Sequence, residues 1–176
     1  MPVRAFILLS FFAGLAASTL SADDWPCWRG SDRTNVCRET GLLRSWPEAG
    51  PPLLWKSESL GEGFASCSVV QDVIYSMGNR DGYELVIALN SQDGSEKWAT
   101  PIGAVRHDGA GYPGPRSTPT YDDGHLYALG LNGDLVGLDA RDGRLLWRRN
   151  LVAELGGQIP TWGFSESVLI DGAWVV

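Results

Sequence analysis

The chain has 176 residues, with 14 Lys and Arg against 21 Asp and Glu, for a formal net charge of −7. The cations stand singly or in pairs, so no basic patch offers a surface to nucleic acid, and none indicates a peripheral membrane contact. Glycine (22) and proline (10) are abundant and eight tryptophans are spread among them, the composition of short strands and tight turns and hence of an all-β class.

Residues 1–22 read as a secretory signal peptide. Arg4 carries the positive charge, Ala5 to Ala17 is an uncharged apolar run, and small residues lead to Ser21-Ala22 before the acidic pair Asp23-Asp24. The run falls short of the about 20 apolar residues of a membrane span, and no Cys follows it to carry a lipid. An uncleaved anchor is the alternative. The expected location is extracytoplasmic, periplasmic or secreted, where cysteines can pair. Residues 23–56 form an irregular leader holding Cys27 and Cys37; a bridge between them would contribute roughly 2–3 kcal/mol, and paired and free thiols are both open at this point. Cys67 falls in a predicted strand and is expected to pack as a small buried apolar residue. No spacing among the three resembles a zinc site.

The rest of the chain repeats itself. LNSQDGSEKW (Leu89 to Trp98) and LDARDGRLLW (Leu138 to Trp147) share four residues, and outward from them Tyr75 matches Tyr127. The Tyr spacing exceeds the Trp spacing by three residues, which predicts a longer hairpin loop at Asn79 to Gly82 than at Asn132-Gly133. Residues 57–100 and 101–150 are thus two copies, and 151–176 begins a third, with SVLIDGAWVV reading as strand, Asp-Gly turn and strand. In the second copy Thr118 to Tyr121, His125 to Leu129, Asp134 to Leu138 and Arg144 to Arg148 are predicted strands. Turns fall at Asp122-Asp123-Gly124, at Asn132-Gly133, which suits a type I′ hairpin, and at Asp139 to Gly143, where the carboxylate can accept turn amides. Four antiparallel strands recurring at this period predict propeller blades. A blade must stack on its neighbours, and Trp98 and Trp147 are large enough to anchor that seam.

The pattern Ala88, Asn90, Gly94, Trp98 and its twin Gly137, Asp139, Gly143, Trp147 resembles the tryptophan-docking motif of pyrroloquinoline-quinone (PQQ)-type β-propeller repeats. Asn90 departs from the usual Asp, Gly137 from Ala, and Asp93 and Asp142 from Thr. Trp25-Pro26, Trp28-Arg29-Gly30 and Gly41-Leu42-Leu43 resemble the leader of exported proteins of this family. Cys27 and Cys37 are substitutions within that leader, which the resemblance takes to favour their pairing. Leu53-Leu54-Trp55 matches Leu145-Leu146-Trp147 and is expected as a fourth strand that completes the last blade of a closed ring. Rings close with four to eight blades, so a partial propeller, a fragment or truncated reading frame, is expected.

The resemblance implies two functions. One is a non-catalytic scaffold that meets a protein partner through a blade face or inter-blade loops, as the outer-membrane assembly scaffold of the family does. The other is a PQQ-dependent alcohol-type dehydrogenase, which needs the quinone, calcium held by Glu, Asn or Asp, and a carboxylate base. The adjacent Cys pair of many such enzymes is missing. A truncated product without function is the third reading. Arg116, Trp162 and Glu166, in loops between blades, are the candidate binding residues, with Arg116 and Glu166 expected to face the channel. His107-Asp108 reads as a solvated loop more readily than as an acid–base pair. Ser165 lies in GFSES, which is not a nucleophile elbow, and Asp93 and Asp142 lack the carboxylate density of a calcium loop.

Overall fold

A computed structural model describes residues 22–106 and 112–176. The signal peptide (but for Ala22) and His107-Asp108 lie outside them. Among the described residues no helix is long and apolar enough to cross a membrane. The chain is all-β, a partial propeller. Strands β1 (Ser68–Val70), β2 (Val73–Arg80), β3 (Tyr83–Asn90) and β4 (Glu96–Ala104) form one antiparallel blade. A second consists of β5 (Thr120–Asp122), β6 (His125–Leu129), β7 (Asp134–Asp139) and β8 (Leu145–Asn150), and β9 (Ile170–Asp171) pairs with β10 (Trp174–Val175).

Alternation along the strands sorts the core. Tyr75, Met77, Val86 and Ala88 pack with Leu126, Ala128, Val136 and Leu138 of the second blade. Leu85, Ile87 and Leu89 fill the opposite face with Ile74, Leu60 and Ala99. Both faces of β3 are covered, which is why it reads as an almost unbroken apolar run. Burying each such side chain contributes about 1.5–3 kcal/mol.

The two central hairpins differ from expectation. Asp81 (φ 54°) and Gly82 (φ 84°) close a two-residue turn, so β2 and β3 pair as far as Arg80 and Tyr83. The added residues of the first copy therefore lengthen strands, not a loop. At the second hairpin Gly133 is left-handed and Asn132 is not, so no type I′ turn forms. The chain takes a loop over 130–133, held by Gly130 N to Asp134 O (2.9 Å) and Gly133 N to Gly130 O (3.0 Å). That loop turns Leu131 inward, where it is buried against Gly163.

The leader also differs. Residues 53–55 form no strand: Leu53 and Leu54 are exposed, with no described strand beside them. Instead the leader crosses the inner edges of all three units. Trp25 and Val69 exchange backbone bonds (2.7 and 2.9 Å), Tyr121 N donates to Pro26 O (2.7 Å), and the Arg33 guanidinium donates to Val168 O (2.9 Å). Cys27 and Cys37 are free thiols. A turn closed by Gly30 N to Cys27 O points Cys27 inward, where its Sγ donates to Gly30 O (3.1 Å) and burial pushes the thiol up, while Cys37 stays exposed. Cys67 is exposed as well. It precedes β1, and Ser68 and Val70 take the buried positions beyond it.

Candidate functional site

Antiparallel order puts the connections at two ends. Turns 71–72 and 91–95 lie together, joined by Ser91 N to Asp72 O (3.0 Å), as do 123–124 and 139–143, joined by Ala140 N to Gly124 O (2.9 Å). The opposite end carries turn 81–82 and loop 130–133, with Asn132 Nδ2 donating to Ala104 O (2.9 Å) between the blades. The segments at 60–64, 112–116 and 156–164 meet at this loop end.

Three rings from those segments form a row. Phe64 and Tyr112 stand 5.9 Å apart edge to face, and Tyr112 and Trp162 stand 5.8 Å apart. The Arg116 guanidinium lies 5.7 Å from the Phe64 ring and donates to the carbonyls of Tyr112 (2.9 Å) and Gly114 (3.4 Å). Together they line an open cleft of about 300 Å³. Phe64, Tyr112 and Trp162 are 58, 56 and 51 % exposed, so the row offers apolar surface to solvent. Arg106 ties two of the loops together through Pro160 O (3.2 Å).

Arg116 and Trp162 are thus brought together, and Glu166 is not. It lines a separate apolar hollow with Leu129, Leu135, Leu151, Phe164 and Val168, and its Oε2 accepts from Ser165 N (3.0 Å). The pair does not face one channel because the backbone after Trp162 turns at Gly163 and carries Glu166 onto the face of the second blade. Arg116 is engaged by carbonyls, and among the described residues no three His, Cys, Asp or Glu side chains are grouped to hold a metal ion.

At the other end the repeated turns receive indole rings. Trp55 lies against Gly94 and its Nε1 donates to Ser91 O (2.9 Å). Trp98 of the first blade lies against Gly143 of the second and donates to Ala140 O (3.3 Å), beside Thr100 Oγ1 donating to Gly143 O (2.7 Å). Trp147 rests on Gly137 of its own blade, 6.1 Å from Tyr127. The turns are built alike. Asn90 Oδ1 accepts from Gln92 N (3.0 Å) and Asn90 O from Gly94 N (2.8 Å); Asp139 does the same with Arg141 N (3.1 Å) and Gly143 N (2.9 Å). Asp93 Oδ1 accepts from Ser95 N (2.9 Å), and Asp142 Oδ1 from Arg144 N (3.0 Å).

Asp139 also binds the Arg141 guanidinium (2.8 Å), and these bonds hold its carboxyl well below the usual carboxylate range. A lowered folded-state pKa contributes stability above the unfolded value of about 3.9, lost as pH falls through the folded value. Since Asn90 already builds the twin turn without a charge, Asp139→Asn is expected to melt somewhat below the parent at pH 7 and to close that gap on acidification, whereas Asp139→Ala melts lower than Asp139→Asn at both. Thermal melts at pH 7 and pH 3 check this; equal damage from both variants contradicts it.

Three residues at the loop end were not singled out from sequence: Phe64, Tyr112 and Glu84. The rings lie far apart in the chain, in segments without periodicity. Glu84 had a signal, because alternation sets it in phase with Val86 and Ala88 on a buried face.

A family model described as outer membrane protein assembly factor BamB matches residues 42–168. No curated protein matches the chain. Among solved structures it is similar to the quinohemoprotein alcohol dehydrogenase ADHIIG of Pseudomonas putida HK5, at 21 % identity over 70 % of this chain and 18 % of that one, with a TM-score of 0.49. It is also similar to BamB of Moraxella catarrhalis (16 %, over 57 % of this chain and 28 % of that one, TM-score 0.39). A europium-containing methanol dehydrogenase is similar at 21 % over 51 % of this chain and 16 % of its own, with a TM-score of 0.35. The chain thus spans less than a third of each.

Proposed function

We propose, from the premise that this chain belongs to the family described as outer membrane protein assembly factor BamB, that it is an exported, non-catalytic propeller-repeat protein that binds a protein partner at its loop end. The observation that supports this is the exposed row Phe64, Tyr112 and Trp162 beside Arg116. Aromatic rings and arginine are the residue types enriched where proteins meet, and a few of them carry most of the binding energy. Export rests on the signal peptide read in residues 1–22. The repeated turns at Asn90–Gly94 and Asp139–Gly143, with Trp55, Trp98 and Trp147, hold the blades in place and leave the loops free to vary.

A photo-crosslinking amino acid at Tyr112, in the cell that exports the protein, is expected to capture one discrete protein, and the same probe at Gln92 on the opposite end to capture none. Trp162→Ala is expected to weaken that capture about thirtyfold, the loss of an interface hot spot of about 2 kcal/mol. Equal labelling at Tyr112 and Gln92, or capture that ignores Trp162, overturns the reading. If adding PQQ and calcium to the purified chain raised dye-linked alcohol oxidation, the dehydrogenase reading would replace it.

A further inference from the structure

Glu84 is wholly buried in β3, and its carboxylate leaves its own blade to accept from Leu131 N in the next one, at 3.0 and 3.2 Å. Asn79 stands opposite it on β2, in register and on the same face, where directly opposed side chains have Cβ atoms about 4.5–5.5 Å apart. Asn79 is 93 % buried, and neither its Oδ1 nor its Nδ2 has a hydrogen-bond partner. A buried amide left so is costly; the carboxyls opposite it in register are Glu84 on β3, which is buried, and Glu62 across a backbone bridge, which is exposed.

The charges around this pair come from the elements packed against it, among them Glu62, whose backbone bridges Asn79 and whose side chain is exposed. Asp134 on β7 opposes ionisation of Glu84, and Arg116 favours it. Asp134 is itself 4.0 Å from Arg148 of β8 and accepts from Asn150 Nδ2 (3.3 Å). Arg80 and Glu96, on the same sheet as Glu84, pair with each other at 2.7 Å. Glycine at 130 admits the carboxylate, since a Cβ there would lie 2.5 Å from Oε2.

We propose that Glu84, Asn79 and the Leu131 amide form a proton-operated clasp across the seam between the two blades, tight when the carboxyl is protonated and loosened when it ionises. The neutral carboxyl can donate its proton to Asn79 Oδ1 while its other oxygen accepts from Leu131 N, so that a polar atom of each blade is satisfied. On ionisation the carboxylate can only accept, from Leu131 N and from Asn79 Nδ2, and what loosens the seam is the full negative charge left buried near Asp134. Burial first, with Asp134 adding to it against the Leu131 bond and Arg116, pushes the carboxyl up to about 7. A folded-state pKa above the unfolded one gives stability that is fully present below about 4.5 and is lost as pH rises through about 7.

Hydrogen exchange on the full chain tests the clasp. After correction for intrinsic rates, protection of the Leu131 amide is expected to fall about tenfold or more between pH 5 and pH 8. Glu84→Gln keeps an oxygen for Leu131 N and an N–H for Asn79 Oδ1, so its protection is expected to stay level over the same range. Asp134→Asn removes a like charge and is expected to move the midpoint to lower pH. Level protection in the parent chain, or a pH dependence that survives Glu84→Gln or ignores Asp134→Asn, overturns the proposal.

Discussion

Trp98→Ala is expected to lower the unfolding free energy by about 3 kcal/mol, near the lower bound for removing a buried indole because the ring is only partly covered. Its ring spans the seam: it leaves β4 of the first blade, rests on Gly143 of the second, donates to Ala140 O and lies 6.0 Å from Tyr75. Removing it takes apolar contact from both blades at once. Urea unfolding should therefore show a lower midpoint and also a smaller m-value or two separated transitions, as blades that melted together begin to melt apart. Trp147→Ala is the internal comparison. That ring rests on its own blade at Gly137, so its loss is expected to cost less and to leave the transition single. Equal effects at the two positions would mean that Trp98 is packing without joining the blades.

Gly143→Ala is expected to cost a similar amount, about 3 kcal/mol, by two separable routes. Gly143 has φ +71°, where a side chain costs about 1–2 kcal/mol. A Cβ there would also lie 2.4 Å from the Trp98 ring and 2.6 Å from Thr100 Oγ1, so the ring must back away from its carbonyl. In the Trp98→Ala background the ring's share should vanish, leaving the backbone cost and the contact with Thr100 Oγ1. A double-mutant cycle measures this as a coupling of about 1 kcal/mol or more. If the two losses simply add, glycine is there for the turn alone.

How legible the molecule was depends on the range of the interactions. The repeat, the Asp139 to Gly143 turn with its Asn90 twin, and the strands beside them are short-range features. A carboxylate two residues from the amide it binds, or an apolar residue two from its neighbour on the same face, can be seen in sequence. The type I′ reading of Asn132-Gly133 was misplaced because Leu131, one residue earlier, is drawn in by partners elsewhere. Cys67 followed the same logic: strand propensity was read correctly nearby, but which face it took depended on Ser68 and Val70. The loop end was half legible. Arg116 and Trp162 stood out as polar or aromatic residues in loops, yet nothing local said that Phe64 and Tyr112 would join them or that Glu166 would turn away. Glu84 is the clearest omission, since its bond to Leu131 runs between repeats and a repeat pattern describes only what lies within each.

The path of the leader has a consequence for the order of assembly. Arg33 finds its carbonyl acceptor at Val168, 135 residues later, and closing so long a span costs more entropy than closing any hairpin. Residues translated early must therefore wait for late ones before they settle. During that interval the inner margins of β1 and β5 have open backbone groups, the kind of edge that recruits stray strands. The leader is then a latecomer among these contacts, and the exposure of those inner margins ends when Trp25, Pro26 and Arg33 arrive.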